Sequence, residues 1–403
     1  MSYQDDIDRE IERDLGIKPA RSGKHPLAFL IPLAHLAGKI LRPICKCVFF
    51  PILCPLGPIK QYDENGQIVS RNRSWPWRIV DAIVARFVLT PVLLGIFFLG
   101  LVWCTTHPRV VNARSTPTAY NLFYRKITLA TADGLIVNAW YLPALTAGDV
   151  VLNGDAALEQ KFPAAILCHG LGFSHDQYLP LAAKLHDAGF AVLMLDLRGQ
   201  GESPSSAVTF GLRERFDVLA AINHLRDSHD VDSTKICLVG YGVGASAMLH
   251  AAALDQSVAA IVVDGAWPSF DQWTRHAFNQ PGVPESVVAP LFSTTFDMML
   301  REHNNQLNLE PLVRTLTHQP ILFVARDTPS QAPVQDIFDL AATSTAPHRV
   351  LVLQDGAGAA GAANPELDAT IAAFLTDNLH WNAPTKHLSG NLQKLMDAHV
   401  PAP

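Results

Sequence analysis

The sequence predicts an α/β protein: a mostly parallel sheet covered by helices on both faces, carrying a cap insertion and preceded by a transmembrane helix. Three observations predict it. Short apolar runs alternate with helical patterns from residue 164 to 379, as a parallel sheet with crossover helices requires. The stretch from Phe87 to Cys104 contains no charged residue, and tryptophans flank it at Trp75, Trp77 and Trp103. Hydrophobic residues make up 49% of the 403 and mean hydropathy is +0.15, high for a chain lying wholly in water.

Along the chain, residues 1–24 are a polar tail whose stretch Asp5 to Asp14 reads as a short exposed helix or as disorder. Residues 25–74 are apolar but broken by Pro32, Pro43, Pro51, Pro55 and Pro58, so no run reaches the length of a bilayer span; an interfacial segment fits better. Residues 75–106 hold the expected span and its flanks. As one helix, Trp77 to Trp103 would measure about 39 Å, close to a bilayer with its interfaces. Its expected partner is the lipid bilayer through residues 79–104. Arg71, Arg73, Arg78 and Arg86 precede it, and only Arg109 and Arg114 follow closely. That bias predicts a single-pass membrane protein with a cytoplasmic N-terminus and the large domain outside.

Residues 115–380 carry the α/β pattern, and 381–403 form a C-terminal tail. Lys126 to Thr131 and Leu135 to Leu142 read as strands joined by a turn at Asp133-Gly134, followed by a polar insertion at 144–162. Further strands are predicted at 164–168, 191–195, 236–239, 258–263, 321–324 and 349–353, with helices near 177–188, 212–226, after Gly244, and 365–379. The longest interruption between strands, 266–318, is the expected cap. No internal repeat is visible.

Net charge is −6 and no basic block occurs, so nucleic acid is excluded as a partner. The six cysteines show no zinc spacing, and neither metal nor cofactor is expected. Cys168 and Cys237 fall on neighbouring predicted strands, as small core residues or as a disulfide. Cys45, Cys47 and Cys54 lack a motif that would mark acylation, which stays an open alternative.

Four segments carry a family resemblance: His169-Gly-Leu-Gly172 after a strand, Asp196-Leu-Arg-Gly-Gln-Gly-Glu-Ser203, Gly240-Tyr-Gly-Val-Gly244, and Gly356-Ala-Gly-Ala359 followed by Asn364-Pro-Glu366. In this order the chain resembles the α/β-hydrolase superfamily, particularly its lysophospholipase-like and serine-aminopeptidase-like branches. The resemblance places the nucleophile at Gly242 and the histidine at Ala359, with Asp327 the nearest candidate for the acid. It also assigns the oxyanion hole to the backbone N–H groups of Leu171 and Val243. Glycine has no attacking atom and alanine accepts no proton, so the triad is degenerate.

The consecutive Ser174-His175-Asp176 cannot act as a triad, since adjacent side chains diverge; His169, Ser174 and His175 are instead candidates for lining a pocket. Ser246 lies past the elbow on a helix, where its hydroxyl is expected to bond a preceding carbonyl. Asp196 and Arg198 are expected to brace their turn. The reading is a membrane-anchored, noncatalytic protein that binds an apolar acyl-like ligand or a protein; the alternative is an active esterase, lipase, peptidase or acyltransferase with an unusual residue set such as Ser174, His175 and Asp327.

Overall fold

The computed structural model describes residues 59–62, 68–71, 90–145, 159–279, 283–326, 331–353 and 364–381, with single positions between 76 and 88 and at 281. The tail 1–24, most of 25–74, the insertion from 146 to 158 and the tail beyond 381 lie outside the described residues, as do Asp327 and Ala359.

Two short strands, β1 (Ile59–Tyr62) and β2 (Ile68–Arg71), pair antiparallel with each other. Helix α1 (Thr90–Thr106) follows, then β3 (Arg125–Ala130), β4 (Ile136–Leu142) and β5 (Phe162–Cys168). After them come α2 (Leu179–Asp187), β6 (Ala191–Leu195), α3 (Glu214–Arg226), β7 (Val231–Tyr241) and α4 (Val243–Leu254). Strand β8 (Ala260–Asp264) leads into α5 (Phe270–Phe278), α6 (Glu285–Leu300) and α7 (Glu310–Thr315). The chain then forms β9 (Ile321–Arg326), α8 (Val334–Ala342), β10 (His348–Leu353) and α9 (Pro365–Asn378).

Strands β3 to β10 make one sheet in the order β10-β9-β8-β7-β5-β6-β4-β3. The pairs from β10 to β6 are parallel; β4 pairs antiparallel with both β6 and β3. The expected sheet and its hairpin are therefore both present. Its central strands are buried on both sides, which is why they read as unbroken apolar runs. On β5, Ala164, Ile166 and Cys168 face one core while Ala165 and Leu167 face the other. Strands β6, β7, β8 and β9 divide the same way: Leu238 and Val263 share the first core, Val239 and Val262 the second. Helices α3, α4 and α8 cover the first face, α2 and α9 the second. Cys168 and Cys237 sit on opposite faces as free buried thiols, so this pair forms no disulfide.

The expected transmembrane helix is not found among the described residues. No helix among the described residues is long and apolar enough to cross a membrane, and α1 is 17 residues long. Its residues Phe98, Leu101 and Val102 belong to the core of the sheet's first face, with Leu94 and Phe97 packed beside them. Positions 94, 98, 101 and 102 form one helical stripe, and that stripe meets protein rather than lipid. The end of α1 is tied down as well: Thr105 and Thr106 are buried, and the Val208 N–H donates to the Thr106 carbonyl at 2.7 Å. The opposite stripe, with Leu93, Ile96 and Trp103, is exposed. Over these residues, α1 is docked on the domain along one stripe.

The insertion between β8 and β9 folds as expected into helices. Helix α6 packs on both α5 and α1, so the cap and the docked helix form one wall. Phe270, Trp273 and Phe296 of this insertion pack their rings, edge-on or tilted, against Phe210, which arrives from the loop before α3, and Phe292 joins the group through Trp273. Phe210 holds a positive φ of 57°, and the loop around it is pinned by the buried Glu214 carboxylate. That carboxylate accepts from the N–H groups of Thr209 and Gly211 and from the Thr209 hydroxyl.

Candidate functional site

Gly242 links β7 to α4 at φ 54° and ψ −112°, a conformation that costs an L-residue free energy and that glycine adopts freely. Its N–H donates to the Asp264 carbonyl at 2.8 Å, and its carbonyl accepts the first helical bond from Ser246 N at 3.1 Å. The turn is therefore a strand-to-helix elbow with its strain relieved. A Cβ at Gly242 would have only Gly170 Cα nearby, at 4.0 Å, so the space where a nucleophile's side chain would project is open.

The two flanking glycines are glycines for steric reasons. A Cβ at Gly244 would lie 2.5 Å from the Cys168 carbonyl oxygen and 2.6 Å from that of His169. A Cβ at Gly240 would lie 2.6 Å from Ala245 Cα. The elbow is closely packed on both sides of a central residue with no side chain.

In front of Gly242 lies a cavity of about 80 Å³. Leu171 and Val243, the predicted oxyanion pair, line it together with Gly242. Val243 opens α4, where the first-turn N–H groups have no intrahelical acceptor and the helix dipole is positive. Aromatic walls come from Phe173, Phe210, Trp267, Phe270 and Trp273. Ser246 and Gln331 also reach it, and no charged residue or histidine lines it among the described residues.

His169, Ser174 and His175 do not line this cavity, contrary to expectation. The Leu197 N–H donates to His169 Nε2 at 3.2 Å, so Nδ1 carries the proton and donates to the Gly170 carbonyl at 2.8 Å. Both ring nitrogens are thereby committed. Burial lowers the His169 pKa despite the nearby Asp196 carboxylate, which keeps the ring neutral. His175 is enclosed against Trp140, with ring centroids 3.6 Å apart, and its Nδ1 lies 2.6 Å from Asp196 Oδ2. The Ser174 hydroxyl donates to Asp176 Oδ1 at 2.5 Å. These residues brace the loop that carries Leu171 and Phe173. A hydrolase built from Ser174 and His175 thus has neither group at the cavity.

The Asp196 turn is structural, as expected. Asp196 accepts from the N–H groups of His175 and Glu202, both at 2.7 Å. Burial works to raise its pKa, but His175 and His169 outweigh it and hold the carboxyl below its ordinary value. Arg198 is buried between Asp217 and Asp133, donating from Nη2 to Asp217 Oδ1 at 2.6 Å and to Asp133 Oδ1 at 3.0 Å.

Sequence reasoning missed three features. Phe210, Trp273 and Gln331 line the cavity from far-apart segments with no shared spacing. A buried bidentate pair joins Asp264 and Arg326 at the carboxyl ends of β8 and β9, with Nε to Oδ1 at 2.9 Å and Nη2 to Oδ2 at 2.6 Å. The Arg326 guanidinium also lies 5.8 Å from the centroid of the Tyr241 ring, next to the elbow. No cluster of His, Cys, Asp or Glu among the described residues could hold a metal ion.

A sheet of this order, an elbow at the end of its central strand and a helical cap over that elbow define the architecture of the α/β hydrolases, with Gly242 at the elbow. The chain belongs to the alpha/beta hydrolase family, whose profile matches residues 165–393. It is 25% identical over 289 residues to an uncharacterised protein of Mycobacterium tuberculosis, covering 71% of this chain and 88% of that one. An uncharacterised 31.7 kDa protein of Escherichia coli is 32% identical over 146 residues, covering 36% of this chain and 49% of its own. Among solved structures, an esterase of Pyrococcus furiosus superposes with a TM-score of 0.53 at 17% identity, covering 69% of this chain and 98% of the esterase. That likeness is one of fold.

Proposed function

We propose that this is a noncatalytic member of the family with a degenerate triad, which binds an apolar acyl-like ligand in the cavity before the elbow while the outward face of α1 rests on a membrane. One observation carries the reading: Gly242 stands at the strand-to-helix elbow, where the family resemblance expects the nucleophile, with open space beside it. The missing base supports it independently. From Arg349 to Leu379, the stretch that includes the family's histidine loop, the chain contains no histidine at all. Losing both groups removes the usual acyl-transfer route, and the backbone donors that remain sustain at most about 10³- to 10⁴-fold over water.

The lysophospholipase-like and serine-aminopeptidase-like resemblance and the aromatic walls both favour an apolar guest. The exposed stripe of α1 beside the cap supports a membrane contact, since Leu93, Ile96 and Trp103 present apolar surface with no charge between them. The test is labelling of the purified protein with a serine-directed fluorophosphonate, which is expected to leave it unmodified. Labelling that vanishes on unfolding would overturn the reading. Gly242→Ser alone is expected to give no ester turnover, and Gly242→Ser with Ala359→His to give a measurable rate.

A further inference from the structure

Among the described residues, one polar atom lining the cavity has no hydrogen-bond partner. Gln331 is 4% exposed and lines the cavity, and its Oε1 is buried without a hydrogen-bond partner. Its orientation is set from the other end of the amide, where Nε2 donates to Tyr241 Oη at 2.7 Å. A buried acceptor left bare costs free energy that a ligand donating a hydrogen bond recovers. The remaining walls narrow the choice of ligand. Among the described residues no charged side chain lines the cavity, so an ion entering it would be desolvated without a counter-charge from them. Ser246 lines it too, but a hydroxyl both donates and accepts and so does not discriminate.

Resting on the ligand-binding reading above, we propose that the cavity selects neutral apolar carboxamides over esters and ketones, with Gln331 Oε1 accepting the ligand's amide N–H. The carbonyl of the same group suits the N–H donors at Leu171 and Val243, which an ester or ketone would use equally well. Only the amide also has a hydrogen to give. The discrimination therefore resides in Gln331 and not in the oxyanion pair.

Benzamide and acetophenone are suitable probes, because they have the same shape and differ only in an amino against a methyl group on the carbonyl carbon. Calorimetry on the full chain is expected to show benzamide binding about tenfold more tightly. Gln331→Met is expected to abolish that preference, since the more hydrophobic ketone then has no disadvantage. Gln331→Glu keeps an acceptor at the same place and is expected to retain it. Equal binding of the two probes by the wild type, or a preference that survives in Gln331→Met, overturns the proposal while leaving a ligand-binding role intact. A wild type that prefers acetophenone overturns it as well, since the amide of Gln331 then faces the other way. Binding of neither probe overturns both this proposal and the reading on which it rests. The wild-type comparison and Gln331→Glu decide the matter even if Gln331→Met fails to fold.

Discussion

Gly242 and Gly244 are two residues apart and resist substitution for different reasons. At Gly242 there is room for a Cβ but a positive φ, so Gly242→Ala is expected to cost about 1 to 3 kcal/mol of strain and still fold. At Gly244 the obstacle is two backbone carbonyls within 2.6 Å of the added atom, and backbone moves only with the sheet. Gly244→Ala is therefore expected to cost more, on the order of 3 kcal/mol or above, and a denaturant titration of the two variants should rank them in this order.

His250 on α4 is enclosed with Nε2 unpartnered, and burial together with Arg215 pushes its pKa down to about 4. The unfolded chain takes up this proton near pH 6.5, whereas the folded protein resists it until about pH 4. The stability that His250 contributes is complete above that upper value and falls away as the pH drops through the window. The loss is about 3 kcal/mol at its fullest. Equilibrium unfolding of His250→Leu is expected to lack this part of the acid sensitivity, and identical pH profiles for variant and wild type would refute the assignment.

At the scale of elements, the sheet was readable because burial on both faces leaves an apolar signature that needs no partner to interpret. The elbow was readable from glycine spacing alone, since the close approaches at Gly240 and Gly244 admit nothing larger. The surroundings of helix α1 were not legible, for an equally physical reason. Its residues are apolar around the whole circumference, so hydropathy cannot distinguish a stripe against protein from one against lipid. What separates them is the contact of Phe98, Leu101 and Val102 with the core and the Val208 to Thr106 hydrogen bond, neither of which leaves a local pattern. The outward stripe makes its own prediction. Leu93→Asp with Ile96→Asp is expected to weaken flotation with phosphatidylglycerol-containing vesicles by roughly tenfold or more while leaving thermal unfolding nearly unchanged.

For the whole molecule, the cap, α1 and the loop of Phe210 share one hydrophobic cluster, so the cavity wall is also part of the domain's core. Phe296→Ala at its fully buried centre is expected to cost about 3 to 5 kcal/mol and to weaken ligand binding with it. A cap that could swing open independently would lose binding without losing stability, and thermal melts distinguish the two. The cavity was the least legible feature, because Phe173, Phe210, Trp273 and Gln331 meet only after the chain has folded. His169 and His175 looked like site residues on sequence proximity to the oxyanion loop, whereas the fold turns both toward Asp196.

The bond between Val208 and Thr106 has a mechanical consequence. A domain strung on a loose leash can tumble above a bilayer, but one whose last helical turn is stitched into its own interior cannot. If the outer stripe of that helix touches lipid, the height and tilt of the body are set at the same moment. A protease nick anywhere between His107 and Thr116 should then leave the two fragments travelling together through gel filtration.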